Sequence, residues 1–280
     1  MIGVDWGTTS LRGYLIEEEQ LIAKRALPYG VLKVPNGDFK AVFDELTQGW
    51  SGTVLMSGMV GSSKGWINTP YIQAPLALSD LHKHLIELSH LTERPTWLVP
   101  GVQQLSPEDV MRGEELQALG ATCSNGSELL ILCGTHSKHV HLKDGRMLSF
   151  STYMTGELYA ILQSHSILSE EECTDDGAFL EGVEASQADG QLLNKLFQIR
   201  AKRLNKTLLS APPYLSGLLI GSELKSVDQS NVCTIVGTKQ LCKLYFDALQ
   251  WLFPRAQIKL MTAEEASIKG LVHIARSMNV

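Results

Sequence analysis

A carboxylate, a glycine and a run of hydroxyls stand together in Val4-Asp5-Trp6-Gly7-Thr8-Thr9-Ser10-Leu11-Arg12-Gly13-Tyr14. Apolar residues on either side alternate as they do in β-strands, so Gly7 to Ser10 reads as the turn joining two of them. Gly7 lets a ligand approach the backbone closely. The amides around it, with the hydroxyls of Thr8 and Thr9, form a concave set of donors suited to a phosphate. Asp5 ends the first strand, where it would hold Mg²⁺ directly or through water. Arg12 would reach a phosphate as a charge-assisted donor, or else lie on the solvated face of the second strand. The chemistry this predicts is the handling of a nucleoside triphosphate.

The same order recurs in the second half of the chain. Leu129–Cys133 reads as a strand, Gly134-Thr135-His136-Ser137 as a turn, and Lys138–Leu142 as a strand. Thr135, His136 and Ser137 would meet phosphates through amides and hydroxyls, with a purely structural role as the alternative for His136. Leu132 stands where the first turn has Asp5, so only the first turn should supply a carboxylate to a cation. Gly237-Thr238, between a strand and a helix, looks like a turn that contacts an adenosine, with Gly221 near the base; an ordinary structural strand–Gly–helix turn is the alternative.

The elements expected to carry these groups follow from hydrophobic period and turn residues. Strands are expected at 2–5, 11–16, 21–27, 53–57 and 96–99, and helices at 39–50, 79–91 and 108–121. Ser79 would cap its helix, with Leu81, Leu85, Ile86 and Leu88 on the inner face. Strands at 129–133, 138–142, 147–152, 234–236 and 258–260 follow, with helices at 155–165, 192–204, 214–224, 239–252 and 263–277. This is a mixed α/β chain with a weak internal repeat. The interruption at Thr122-Cys123-Ser124-Asn125-Gly126 divides it into domains 1–122 and 123–280, the last helix packing across the junction.

A net charge of −6, with both signs interspersed, argues against nucleic acid or an anionic membrane as the main partner. No run of about 18 apolar residues marks a membrane span, and no signal-peptide pattern is present. The five cysteines are odd in number and lack a C-x-x-C spacing, so free thiols in a reducing cytoplasm are expected. His82, His84 and His90 do not share a helix face, and nothing near His139 and His141 completes a metal set. The sequence contains no G-x-x-x-x-G-K-S/T P-loop and no G-x-S-x-G elbow.

The two turns resemble the phosphate 1 and phosphate 2 motifs of the sugar kinase and actin superfamily. Six segments narrow the match, the second turn among them: Ser57-Gly58-Met59-Val60-Gly61-Ser62, Pro100-Gly101-Val102, Asp109-Val110-Met111-Arg112-Gly113-Glu114-Glu115, Gly134-Thr135-His136-Ser137-Lys138, Met154-Thr155-Gly156-Glu157-Leu158 and Tyr214-Leu215-Ser216-Gly217-Leu218-Leu219-Ile220-Gly221. Together they look like the 2-dehydro-3-deoxygalactonokinase family over nearly the whole chain. The resemblance implies an α/β fold of two ribonuclease-H-like (actin-like ATPase) domains, mixed sheets with flanking helices around a central cleft. It implies ATP and Mg²⁺ as cofactors and phosphorylation of 2-dehydro-3-deoxy-D-galactonate at the 6-hydroxyl, in D-galactonate catabolism.

Under that resemblance Asp109 is the catalytic base, placed at the start of the 108–121 helix. Its alternative is an ordinary acidic residue at a helix N-terminus. Asp5 is the metal carboxylate. Gly7, Thr8, Thr9, Arg12, Gly134, Thr135, His136, Ser137, Gly221, Gly237 and Thr238 meet the nucleotide. Ser57, Gly58, Met59, Val60, Lys64, Arg112 and Glu114 meet the sugar acid. Arg112 or Lys64 would hold the substrate carboxylate, Arg112 sharing a helix face with Asp109 at i, i+3. The partners are then a small sugar acid and ATP, with a homodimer as the assembly considered and neither nucleic acid nor membrane. A kinase for another sugar or sugar acid is the nearest alternative, since a fold does not fix a substrate. A noncatalytic sugar- or nucleotide-binding regulator on the same fold is the other.

Overall fold

A computed structural model describes residues 1–122, 126–171, 174–227 and 232–278. The chain opens with β1 (Ile2–Trp6), β2 (Leu11–Glu17), β3 (Gln20–Leu27), α1 (Phe39–Thr47) and β4 (Val54–Gly58). Next come β5 (Ile72–Gln73), β6 (Leu76–Ala77), β7 (Ile86–Glu87), α2 (Ser89–Thr92), β8 (Thr96–Leu98), β9 (Val102–Leu105), β10 (Glu108–Met111) and α3 (Glu114–Ala121). Then follow β11 (Ser127–Leu132), β12 (Ser137–Lys143), β13 (Arg146–Tyr153), α4 (Thr155–His165), α5 (Asp176–Gln187), α6 (Leu192–Leu204) and α7 (Ala211–Glu223). The chain closes with β14 (Val232–Gly237), α8 (Lys239–Leu252), β15 (Ile258–Thr262) and α9 (Ala263–Met278).

The strands form two six-stranded sheets, of order β3-β2-β1-β4-β8-β7 and β15-β14-β11-β12-β13-β6, and a three-stranded sheet of order β10-β9-β5. In the first sheet β1 runs antiparallel to β2 and parallel to β4. That mixture is what a β-hairpin followed by a helical crossover produces. The chain divides into two compact units, one of residues 1–130, 140–151 and 263–280, the other of residues 131–139 and 152–262.

In the first unit, Ile2, Val4 and Trp6 of β1 are fully buried with Leu11, Phe43, Leu46, Val54 and Met56. Helix α1 begins at Asp38, whose carboxylate accepts from the Ala41 amide at 2.9 Å. Trp6 packs at ring-centroid distances of 5.4 Å from Phe39 and 6.2 Å from Trp66, and its indole donates to the Tyr29 carbonyl at 2.8 Å. These contacts pin the strand that delivers Asp5. In the second unit, α5 and α7 pack together over Ala178, Tyr214, Leu215 and Leu218.

Two expected helices are not formed as read. Residues 79–91 divide into a 3-10 turn over Leu78–His84, strand β7 and the short α2. Leu78 and Leu81 are the buried pair, a spacing of three that suits the tighter turn. Ile86 and Glu87 then extend to pair with Leu98 and Trp97 at the sheet edge. The helix expected from Glu108 begins only at Glu114. Residues Glu108–Met111 instead pair antiparallel with Val102–Leu105, so sheet pairing outweighs helix propensity there. Helix α5 was not expected at all, because Gly177 and Gly182 weaken its helical reading.

Candidate active site

In the first unit, Asp5 and Arg12 face one another across β1 and β2, with Nη1 and Oδ2 at 3.7 Å. Burial raises the Asp5 pKa; Arg12 opposes that shift and the nearby Glu114 charge adds to it. The turn between them is closed by the Gly7 amide donating to Ser10 O at 2.9 Å, and Gly7 O accepts from Val31 N at 3.0 Å. Gly30 backs the turn: a Cβ there would strike the Thr8 carbonyl and the Thr9 amide. The side chains of Thr8 and Thr9 are exposed, as expected of donors that await a ligand.

Ser57 and Gly58 end β4, next to β1. Gly58 has φ of +96°, and a Cβ would sit 2.7 Å from the Trp6 carbonyl oxygen, so glycine is needed for the strand to turn away here. Ser57 and Val60 are buried, Met59 half-buried, and Lys64 exposed, its amide donating to Ser62 Oγ at 3.3 Å. Among the described residues the Lys64 ammonium makes no hydrogen bond or ion pair.

Asp109 lies on strand β10 opposite Gln104, not on a helix, so it does not share a helix face with Arg112. Its Oδ1 accepts from the Val110 amide at 2.7 Å, and the side chain is half-exposed. Arg112 is 7% exposed. It donates to Thr69 Oγ1 at 2.7 Å and Thr69 O at 2.9 Å, and its guanidinium lies 4.2 Å from the Tyr71 ring centroid. Its Nε is buried without a partner, and no carboxylate among the described residues lies within salt-bridge distance. A buried cation with an unspent donor is costly unless an anion completes it.

Glu114 opens α3, its carboxylate accepting from the Arg112 amide at 3.1 Å. Beside it, Glu115 is fully buried, and both of its oxygens accept from the Gly113 amide, at 2.9 and 2.7 Å. Burial first, then the Glu114 charge, push its pKa up to about 8. The sequence reading missed Glu115. The signal was a second acid running into the apolar helix Leu116-Gln117-Ala118-Leu119.

In the second unit, His136 Nε2 pairs with Glu157 Oε2 at 2.5 Å, and the Glu157 amide donates to Thr135 O at 2.9 Å. Gly156 backs this turn as Gly30 backs the first, a Cβ there standing 2.5 Å from Gly134 O and 3.0 Å from Thr135 Cα. Ser137 is fully buried and donates to Glu223 Oε1 at 2.7 Å.

A cavity of about 450 Å³ opens beside Gly134, with Thr155, Gly156, Tyr159, Leu241 and Tyr245 in its wall. That volume suits a small molecule of nucleoside size. Thr238 caps α8, accepting from the Leu241 amide at 3.2 Å, and Gly237 packs on Cys133. One side of the cavity wall is the first two turns of α8, which Thr238 starts. Gly221 packs on Ser186 of α5, and its neighbours on α7, Leu219 and Ile220, face the cavity. Among the described residues no group of three His, Cys, Asp or Glu side chains could hold a metal by itself, and the described cysteines Cys133, Cys233 and Cys242 are free and buried. Cys123, Cys173 and the core of the expected boundary at 122–128 lie outside the described residues. No described helix is long and apolar enough to cross a membrane.

The architecture is shared with solved proteins of distant sequence. The Acidaminococcus fermentans (R)-2-hydroxyglutaryl-CoA dehydratase component A aligns over all of this chain and 99% of its own, with a TM-score of 0.56 at 11% identity. Mixed sheets carrying two glycine–hydroxyl turns on such a fold define an actin-like ATPase fold, the class that includes sugar kinases.

Within that class the assignment is specific. The 2-keto-3-deoxy-galactonokinase family profile matches residues 5–274. The 2-dehydro-3-deoxygalactonokinase of Escherichia coli K12 is 32% identical over 97% of both chains. A crystal structure from Sinorhizobium meliloti, assigned the same activity, superposes with a TM-score of 0.89 over 99% of this chain and 98% of its own, at 32% identity. The chain belongs to the 2-keto-3-deoxy-galactonokinase family, and it is a kinase that uses ATP.

Proposed function

We propose that this kinase transfers the γ-phosphoryl group of ATP to the 6-hydroxyl of 2-dehydro-3-deoxy-D-galactonate, giving the 6-phosphate and ADP in galactonate breakdown. The observation that carries the nucleotide half is Gly134, which belongs both to the second turn and to the wall of the 450 Å³ cavity. A phosphate-binding turn that continues into a nucleoside-sized cavity is what ATP requires. Each unit is read as one ribonuclease-H-like domain, the first binding the sugar acid and the second the nucleotide.

Asp109 takes the proton of the 6-hydroxyl as its oxygen bonds to phosphorus and the bond to the ADP oxygen breaks. The amides and hydroxyls of Gly7, Thr8 and Thr9, with Arg12, would steady the transferred group, and Gly134, Thr135, His136 and Ser137 the rest of the phosphate chain. Arg112 is the better supported holder of the substrate carboxylate, since it is a buried cation with a free Nε. Exposed Lys64 is the weaker one. Gly58, Met59 and Val60 would present backbone to the sugar chain, with Ser57 and Glu114 bonding hydroxyls. Gly221, Gly237 and Thr238 would act through the helices that wall the cavity.

Asp5 fits Mg²⁺: burial favours its protonated form and Arg12, at 3.7 Å, offsets that only in part, so a hard cation beside it would further stabilise the carboxylate. When bound, the ion would neutralise charge on the phosphates. The free buried thiols support a reducing cytoplasm.

The test is product identity. Phosphorus NMR of the reaction with Mg-ATP and 2-dehydro-3-deoxy-D-galactonate should show a phosphomonoester coupled to the C6 protons. A wild type that turns over only other sugar acids would overturn the substrate assignment and leave the kinase in place.

A further inference from the structure

Glu223 ends the apolar helix α7 and is 4% exposed. No Lys or Arg among the described residues lies within salt-bridge distance of it. Its carboxylate instead accepts four hydrogen bonds: Ser137 Oγ at 2.7 Å and His139 Nε2 at 2.8 Å on Oε1, Tyr245 OH at 2.7 Å and Thr155 Oγ1 on Oε2. A carboxylate has about four lone-pair sites, so every one is used. Burying that group elsewhere in the molecule would be costly; here four donors replace water.

The four donors have one thing in common. Ser137 ends the second turn, and His139 follows it in β12. Thr155 begins α4 and precedes Gly156, the residue that backs the turn. Tyr245 comes from α8. Thr155, Gly156 and Tyr245 all line the cavity, whereas Glu223 does not. Burial and the Glu223 carboxylate together keep the proton on the Tyr245 phenol, so it stays a donor. His139 is further held against the Tyr153 ring at 4.6 Å between centroids, and Tyr153 OH reaches Ser226 Oγ at 2.8 Å.

We infer that Glu223 is a positioning residue for nucleotide binding, clamping the second turn, the start of α4 and the wall of α8 into one geometry from beneath. This rests on the nucleotide reading of that turn and cavity. The geometry is set before ligand arrives, so the ordering cost is met in folding rather than in binding.

Glu223→Gln keeps the shape but removes the charge and puts an NH2 with two donors where one oxygen accepted two hydrogen bonds. Calorimetric titration with ADP should show binding weakened tenfold or more. The KM for ATP should rise in step, while the KM for the sugar acid stays within twofold. A residue that served only folding would lower stability without that split between the two substrates. In the Glu223→Gln background, Tyr245→Phe should have little further effect, because its partner is already lost. Should Glu223→Gln not fold, Tyr245→Phe alone decides: a threefold or greater loss of ADP affinity supports the clamp and unchanged affinity overturns it. Glu223→Gln that binds ADP within twofold of wild type also overturns the clamp. A wild type that binds no ADP overturns the nucleotide reading itself.

Discussion

The two glycine–hydroxyl turns use the same backbone device and opposite electrostatics. Each is backed by a glycine that only a missing side chain allows, Gly30 behind Thr8 and Gly156 behind Thr135. At the first turn the charge is near the surface: Asp5 and Arg12 pair at 3.7 Å, with the Arg12 side chain 48% exposed. At the second no acid ends the strand, since Leu132 is buried at the place that Asp5 holds in the first. Its carboxylate, Glu223, lies beneath and spends all its hydrogen bonding on the protein. One turn offers charge outward, to a cation or phosphate. The other is stiffened from within and offers amides. A repeat of backbone therefore does not imply a repeat of chemistry.

The largest expected effect breaks the first turn's charge. Asp5→Asn should lower kcat/KM a hundredfold or more, removing cation placement worth several kcal/mol. A Mg²⁺ titration of activity should show the apparent requirement moving to higher concentration. Leu132→Asp in the same background should not restore activity, because the second turn is not built to carry a charge.

Filling the glycine behind either turn comes next. Gly30→Ala and Gly156→Ala each push a methyl into backbone, which costs about 1–3 kcal/mol by overpacking. Denaturant unfolding measures that loss, and equal losses would show that the backbone device is the same in both. Weaker ADP binding in Gly156→Ala than in Gly30→Ala would sharpen the division of labour.

Glu115 tests how the first unit tolerates a buried acid. Its folded pKa of about 8 exceeds the unfolded value of 4.5, so the folded chain keeps a proton that the unfolded chain loses. Its contribution therefore declines as pH rises from about 4.5 towards 8. Glu115→Gln should gain stability relative to wild type as pH rises through that window, by up to a few kcal/mol near pH 8. A difference that stays flat with pH would show that Glu115 is not protonated when folded. Smallest is Arg12→Ala. The exposed ion pair is worth about 0–1 kcal/mol of stability, so any larger loss measured in ATP KM would belong to phosphate contact and not to folding.

Much of this was legible in the sequence. Both strand–turn–strand units, the α4, α6 and α8 helices and the mixed α/β class follow from alternation, turn residues and helical period. What was not legible depended on long-range partners. Residues 108–111 look helical beside Glu114, and become a strand only because Val102–Leu105 is there to pair with them. Asp109 therefore lies on a strand and not on the helix face it was expected to share with Arg112. The buried Arg112, tied to Thr69 and stacked on Tyr71, could not be told from a surface arginine by spacing alone. Glu223 was passed over because an acid at the end of an apolar helix reads as a boundary. Its donors come from residues 22 to 86 positions away.

The most direct measurement is ADP release with Mg-ATP and 2-dehydro-3-deoxy-D-galactonate, for wild type and Asp109→Asn. The account predicts substrate-dependent turnover in the wild type and a kcat lower by about 10²–10⁴ in the variant, with ADP affinity unchanged. Turnover that survives in Asp109→Asn would contradict the assignment of the base, and a folded, ATP-binding wild type that never turns over this sugar acid would contradict the proposed reaction.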